Sequence, residues 1–352
     1  MLDRQIQSNR RKSLALFAGF LAVYALLGAA ISFAIAGFEP AANLTVFAVF
    51  AAIAIFVTGF TLLFGDDLTV RIGGGRRIDG RRHAPELWDA VETMALAAGV
   101  RMPRVYVSAD LSPNAFAAGR NEQQALVCAT RGLLELLDKE ELEGVIAHEL
   151  SHIRNLDVRL MTYAAVLAGS IALLAEALFS LLTEGLESAG AILGLIVGLL
   201  AALLAPVAAL LIQVAISRRR EFLADASAAE LTRYPQGLAS ALRQIASTRI
   251  APQHDRSTIA HLYILPPPRL EEKSSSLFST HPAIAERLAR LDDLAGGELH
   301  RRRPRPPSPA MREILGGASI GARESQRLIS GSLEVSTVVT PQAFPAPNPE
   351  EE

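Results

Sequence analysis

Long apolar runs alternate with polar segments along this chain, and their lengths predict its organisation. Four runs reach the roughly 20 apolar residues that a helix needs to cross a bilayer. These runs are 14–37, 42–64, 160–183 and 190–216. Only the short links 38–43 and 184–189 separate the runs of each pair. The pattern therefore predicts two transmembrane hairpins with a large polar segment between them.

Between the two hairpins the spacing of the apolar positions changes. The segment 85–99 has helical spacing, with a predicted packing face of Leu87, Val91, Met94 and Leu96. Short runs typical of β-strands follow, separated by turn-forming residues. They cover 104–109, 114–119 and 125–130. The segment 131–155 is predicted to be helical throughout, which gives a small α+β unit whose sheet precedes a helix bearing two histidines.

The charges flanking the apolar runs predict the orientation of the hairpins. The links "FEPAAN" and "TEGLES" contain glutamate and neither lysine nor arginine. Basic residues cluster instead at the opposite ends of the runs, in the N-terminal twelve residues, at Arg71, Arg76 and Arg77, at Arg154 and Arg159, and in 217–220. By the positive-inside rule, both termini and all large polar segments are expected in the cytoplasm.

Composition agrees with a membrane protein and excludes several other classes. Half of the 352 residues are hydrophobic and the formal net charge is only −2. The arginines in 76–82 have no interleaved aromatic residues, so we expect a basic loop beside the membrane and no nucleic-acid partner. Cys128 is the single cysteine, which excludes an intrachain disulfide and a cysteine-rich zinc module. We expect this thiol to be buried in a strand.

The strongest chemical signal is "HELSH" at 148–152. Positions i and i+4 of a helix lie on one face, so His148 and His152 can offer their imidazoles to one metal ion. Glu149 then lies beside that ion, where a carboxylate can act as the general base of a metalloprotease. The alternative is the polar face of an ordinary helix, because a motif this short also occurs by chance.

A catalytic zinc site needs a third protein ligand, and the hairpin geometry indicates where to find it. The sequence lacks a further histidine just after His152, so a distant carboxylate is required. His152 and Glu221 each lie about 34 residues from the middle of the 184–189 link, so antiparallel helices bring them level with each other. Glu221 is therefore predicted as the third ligand. Asp225, one turn later, is predicted to orient a liganding histidine through its second ring nitrogen.

Two further polar residues follow the histidines. Asn155 continues the stripe of His148 and His152, whereas Asp157 falls off this stripe if the helix stays straight. Either residue can support a ligand from behind. For Asp157, capping or a hydrogen bond at the membrane interface is an equally good interpretation.

Several separated motifs together resemble the HtpX-like membrane zinc metalloproteases, which are relatives of the CAAX prenyl proteases. The motifs are "AHELSHIRNLD", "SRRREFLADASAAELT", "NAFAAG" and "LFSTHPAIAERLARL". The resemblance covers about residues 1–295 and implies a zincin-like fold with one zinc ion per chain. It also implies that His148, His152 and Glu221 bind zinc and that Glu149 is the catalytic base.

The resemblance further implies a role for the "NAF" segment. In that family it is expected to form an edge strand to which the substrate backbone adds as a further strand. Here it corresponds to Asn114, Ala115 and Phe116. A plain core position is an equally good interpretation of Phe116. The same motifs include His281 and Arg287, whose roles the sequence does not provide.

The predicted fold class is an α-helical membrane protein with four transmembrane helices and a small α+β zincin-like cytoplasmic domain. The predicted parts are an N-terminal hairpin, a cytoplasmic zincin-like part with the histidine helix, a second hairpin, a cytoplasmic helical part with the third zinc ligand, and a disordered tail. Their ranges are 1–64, 65–159, 160–216, 217–295 and 296–352. The tail is assigned from its lack of apolar periodicity.

The predicted function is a zinc endopeptidase that cleaves misfolded or unstructured segments of membrane and other proteins at the cytoplasmic face. The resemblance implies protein quality control under stress, in a bacterial inner membrane, with possible cooperation with other membrane quality-control proteases. Its expected partners are protein or peptide substrates and the lipid bilayer. Two alternatives stay open: a protease that processes defined, for example prenylated, peptides, and a non-catalytic membrane scaffold in which zinc only holds helices together.

Overall fold

The computed structural model describes residues 2–36, 40–184, 218–248, 250, 252, 257–265 and 282–296. The predicted fourth span, most of the link before it, His281 and the C-terminal tail lie outside the described residues.

Three long helices coincide with the first three predicted spans. They are α1 (Leu2–Ala36), α2 (Pro40–Ile72) and α6 (Asp157–Glu184). Each contains a segment long and apolar enough to cross a membrane, namely Arg11–Ala29, Asn43–Ile72 and Asp157–Leu174. Large apolar side chains on α2, such as Ile55 and Phe56, are well exposed. A lipid-facing helix surface has this character, because lipid tails are as apolar as the side chains themselves.

The small sheet contains four strands in the described part of the chain, in the order β1-β2-β4-β3. The strands are β1 (Gly75–Ile78), β2 (Arg104–Ser108), β3 (Ala115–Ala118) and β4 (Leu126–Thr130). Strands therefore form within all three predicted segments, and a fourth forms in the glycine- and arginine-rich segment. β2 and β4 are parallel, whereas β1 and β3 pair antiparallel with their neighbours. β3 is thus an edge strand.

Helix α3 (Pro85–Ala98) packs its apolar face as predicted, with one exception. Leu87, Val91 and Met94 are buried, but Leu96 is 84% exposed. The prediction for Leu96 was wrong because two residues advance a helix by about 200°, which turns Leu96 away from the face of Met94.

The predicted single helix over 131–155 is two helices in the structure, α4 (Arg131–Leu136) and α5 (Lys139–Arg154). Asp138 separates them. Its side chain accepts a hydrogen bond from the backbone N–H of Glu141, and the Glu141 side chain accepts one from the backbone N–H of Asp138, both at 3.0 Å. This reciprocal capping box starts a new helix, and the D-x-x-E pattern is its sequence signature.

Helix α5, which bears the histidines, packs against the first two of the three helices described after residue 217, and the third packs against those two. The three helices are α7 (Arg218–Thr232), α8 (Pro235–Thr248) and α9 (Ile284–Leu294). The crossing of α5 and α8 is close: a Cβ placed on Gly144 would lie 2.7 Å from the backbone nitrogen of Leu238. Glycine at this position lets the two helix backbones approach each other.

Polar contacts join the sheet to the membrane helices. Buried Asp66, near the end of α2, pairs with Arg104 at 2.7 Å and with Arg120 at 3.8 Å. At the end of β3, the backbone N–H of Gly119 donates to Oγ1 of Thr162 on α6 at 3.0 Å. These contacts fix the edge strand against the same helix that follows the histidine motif.

Candidate metal centre

Three predicted ligands converge at the junction of α5 and α7. Nε2 of His148 lies 3.3 Å from Nε2 of His152. The carboxylate of Glu221 contacts both rings, at 3.7 Å from His148 Nε2 and 3.6 Å from His152 Nε2. All three side chains are buried, and their ligand atoms lie within 4.8 Å of one another.

This arrangement fits a zinc ion in both chemistry and size. Two imidazole nitrogens and one carboxylate are a common protein ligand set of catalytic zinc sites, which keep a fourth position open. At zinc–ligand distances of about 2.0–2.1 Å, two ligands of a tetrahedral ion lie about 3.3–3.4 Å apart. The separations of 3.3, 3.6 and 3.7 Å are within a few tenths of an ångström of this value.

Asp225 lies behind His148, at the place predicted for it. Its Oδ1 atom lies 3.0 Å from Nδ1 of His148, the ring nitrogen on the far side from His152. Burial lowers the pKa of His148, and this effect outweighs the opposing contribution of Asp225. His148 therefore favours the neutral form, which is the form that binds a metal.

Asp157 lies behind His152 because the histidine helix does not stay straight. Helix α5 ends at Arg154, Leu156 has a φ of 56°, and α6 begins at Asp157. The turn brings Oδ2 of Asp157 to 3.5 Å from Nδ1 of His152. Burial lowers the pKa of His152, but Asp157, Glu221 and Glu149 outweigh it and raise the value to about 9.

Asn155 is the C-terminal cap of α5. It is buried, and its backbone N–H donates to the carbonyl of Ser151 at 3.0 Å. This is a regular i→i−4 bond, and it completes the last turn of the helix before the turn at Leu156. A role of the Asn155 side chain in supporting a ligand stays a prediction.

Glu149 is buried beside the ligands. Burial raises its pKa to about 7, opposed by nearby His152 and by a hydrogen bond from the backbone N–H of Ala117, while the charge of Glu221 adds to the increase. A carboxylate with a pKa near neutrality can accept a proton and return it. The helix that carries Glu149 also packs against the edge strand β3.

The segment predicted to bind substrate lies at the start of β3. Its side chains and backbone groups contact different parts of the protein. The side chain of Phe116 is 1% exposed and packs edge-on against Tyr263 with ring centres 5.6 Å apart. This burial favours the core interpretation of Phe116. The amide of Asn114 donates to the carbonyl of Leu265 at 2.8 Å, and the carbonyl of Ala115 accepts from the backbone N–H of Ile264 at 3.1 Å. A substrate role for Asn114, Ala115 and Phe116 stays a prediction, and it would have to involve backbone groups.

Sequence reasoning left Arg287 without a role, and the structure places it in the site. Its fully buried guanidinium forms two hydrogen bonds with Asp225, at 2.9 and 2.7 Å. It also lies 3.9 Å from Oε2 of Glu221. A sequence signal for this position existed: Ile284, Leu288 and Leu291 mark the core face of α9, and an arginine within that face needs a buried acidic partner.

Known proteins match this chain over the region that contains the site. The sequence profile of peptidase family M48 matches residues 81–295. A protein described as a protease HtpX homolog from Limosilactobacillus fermentum is 42% identical over 306 residues, covering 84% of this chain and 100% of that protein. One from Streptococcus gordonii is 41% identical over 300 residues, covering 83% and 99%. The crystal structure of S. mikatae Ste24p is similar over 82% of this chain and 66% of that one, with 18% identity and a TM-score of 0.39.

Proposed function

The chain belongs to the HtpX-like membrane metalloproteases of peptidase family M48, and we propose that it is a zinc endopeptidase that cleaves unstructured protein segments at the cytoplasmic face of a bacterial inner membrane. The observation that carries this proposal is the convergence of His148, His152 and Glu221 within 4.8 Å, next to buried Glu149. The family implies a metal, and the ligand set and its spacing fit zinc.

In the proposed reaction each residue of the site has a separate task. His148, His152 and Glu221 would hold one zinc ion, which supplies Lewis acidity that polarises the scissile carbonyl and acidifies water. Glu149 takes a proton from the attacking water and delivers it to the leaving amine, so that the amide bond breaks. Asp225 and Asp157 hold the two imidazoles from behind and fix which ring nitrogen faces the metal.

The substrates that fit this site are extended segments without stable structure. The edge strand β3 packs against helix α5, which carries Glu149, and its end is followed by the contact between Gly119 and Thr162 on membrane helix α6. A substrate backbone lying along this strand would therefore extend between the site and the membrane surface. This supports misfolded membrane proteins as substrates, in a quality-control role that includes stress and cooperation with other membrane proteases. The topology proposed from the basic flanking residues puts the site and both termini in the cytoplasm.

The deciding experiment compares the purified wild-type protein with Glu149→Gln in the same detergent. Both are loaded with zinc, and their zinc content and their cleavage of an unfolded test protein are measured. We expect equal zinc content and a loss of cleavage of at least 100-fold in Glu149→Gln, because the amide cannot accept a proton. Glu140→Gln is a matched control, since it removes an exposed carboxylate from the same helix. Equal cleavage by wild type and Glu149→Gln would refute the role of Glu149, and zinc-loaded wild type without activity would refute the proposed endopeptidase.

A further inference from the structure

Arg287 joins parts of the structure that are distant in sequence. Besides its two hydrogen bonds to Asp225 on α7, its Nη1 atom donates to the backbone carbonyl of Ile264 at 2.8 Å. Ile264 lies just after a 3-10 helix (Ser257–Leu262). We call residues 263–265, which contact the edge strand β3 through Ile264, the covering segment. Arg287 therefore connects helix α9 both to Asp225, which contacts the proposed metal ligand His148, and to the covering segment.

The covering segment in turn contacts the edge strand. The backbone N–H of Ile264 donates to the carbonyl of Ala115 on β3 at 3.1 Å. Helix α5, which carries His148 and Glu149, packs against the same strand. In an antiparallel edge strand alternate residues direct their backbone groups away from the sheet, so Ala115 and Ala117 present theirs on the same outer side.

Together these contacts form a path from a proposed metal ligand to the edge strand. The path runs from His148 through Asp225 and Arg287 to Ile264, and from Ile264 to Ala115.

The contacts of Arg287 with Asp225 and Ile264 require the chemistry of arginine. Its planar guanidinium has five N–H donors in a fixed geometry, so it can bind both oxygens of Asp225 and the carbonyl of Ile264 at once. A lysine is a single point charge on a flexible chain and cannot reproduce this set. Because Arg287 is fully buried, its charge also needs the opposite charge of Asp225 to be tolerated there.

We propose that Arg287 is a positioning residue that couples the orientation of the metal ligands to the place of the edge strand. When His148 is held by a metal, Asp225 and Arg287 are fixed with it, and the hydrogen bond between Ile264 and Ala115 opens less often. The strand along which a substrate would lie is then set at a defined distance from Glu149. This inference rests on the proposed function for its consequence in catalysis, but the coupling itself is a property of the protein and its metal.

The test measures amide hydrogen exchange in the full-length protein in detergent, without metal and with Zn²⁺ alone. We expect zinc to slow exchange in a peptide containing 263–265 by about 5- to 150-fold, the usual range of coupling between sites. A peptide containing β1, which pairs with β2 at the opposite edge of the sheet from β3, should slow much less. If zinc slows hydrogen exchange in both peptides of the wild-type protein equally, or in neither, the proposal is overturned without any variant.

Variants then assign the coupling to Arg287. Arg287→Lys should lose the extra protection of 263–265 on adding zinc, and Asp225→Asn should do the same from the other side of the ion pair. Arg290→Lys is the matched control, because Arg290 lies on the same helix and contacts Phe222 and Glu286 instead. Full zinc-dependent protection in folded Arg287→Lys would refute the assignment. Hydrogen exchange does not depend on cleavage. The experiment therefore tests the coupling even if the proposed protease function is refuted.

Discussion

Nδ1 of His152 lies 3.5 Å from Oδ2 of Asp157, although the two residues belong to different helices. The chain turns between them at Leu156, whose positive φ of 56° is unusual for a residue with a side chain. The end of the histidine helix and the start of a membrane helix therefore form one functional element. The first residue of α6 contacts a proposed metal ligand located on α5.

This relationship predicts a loss of metal affinity in Asp157→Asn. The amide keeps the shape but lacks the charge that orients the ring of His152, and losing such a support usually lowers metal affinity about 10- to 100-fold. Competition with a fluorescent zinc chelator at pH 9 measures the effect, because proton competition at His152 is weak there. Unchanged affinity at that pH would mean that Asp157 only caps α6.

Zinc affinity should also depend on pH in a defined window. In the metal-free folded protein the pKa of His152 is raised from 6.5 to about 9, so the ring holds a proton between these values that zinc must displace. Apparent affinity should rise with pH by up to about tenfold per unit in this window and level off above pH 9. The free energy of unfolding of the metal-free protein should fall as the pH rises from 6.5 to about 9, because the folded state binds more protons than the unfolded state in this range. Asp157→Asn should flatten both dependences.

Glu221→Ala should lose zinc as well as activity. The substitution removes the only carboxylate of the three-ligand cluster found among the described residues, and two imidazoles bind zinc much more weakly than three ligands. Zinc content after dialysis is the measurement. Glu230→Ala on the exposed side of the same helix should retain one zinc per chain. Stoichiometric zinc in Glu221→Ala would identify another residue as the third ligand.

Gly144→Ala should destabilise the protein through the crossing of α5 and α8. The added methyl group would meet the backbone of Leu238 at 2.7 and 2.9 Å, and backbone cannot move aside as a flexible side chain can. Overpacking of this kind lowers the free energy of unfolding by about 1–3 kcal/mol. Denaturant unfolding in detergent measures it, with Gly59→Ala as control, since nothing lies within 4 Å of a Cβ at that position. Equal stability of the two variants would contradict the close helix contact.

Much of the site could be predicted because its signals are local or follow from chain geometry. His148, Glu149 and His152 form a short motif, and Glu221 followed from the equal distances of two positions from one predicted membrane turn. Asp225 followed from its place one turn after Glu221. Three of the four described strands formed where short apolar runs alternate with turns, whereas β1 (Gly75–Ile78) formed outside these runs. Leu96 shows the limit of such patterns, since an apolar residue alone does not specify which face of its helix is buried.

The sequence by itself determined the three long apolar helices described, three of the four described strands and the types of residue available to bind a metal, because hydrophobic periodicity and motif spacing act over a few helical turns. Only the tertiary structure decided how Asp157, Arg287 and the edge strand meet the metal ligands. Asp157 depended on a turn at Leu156, and Arg287 on the packing of α9 against α7 and the covering segment. Contacts of this kind join positions far apart in the chain, so they depend on how several elements pack together. No local pattern of residues contains that information.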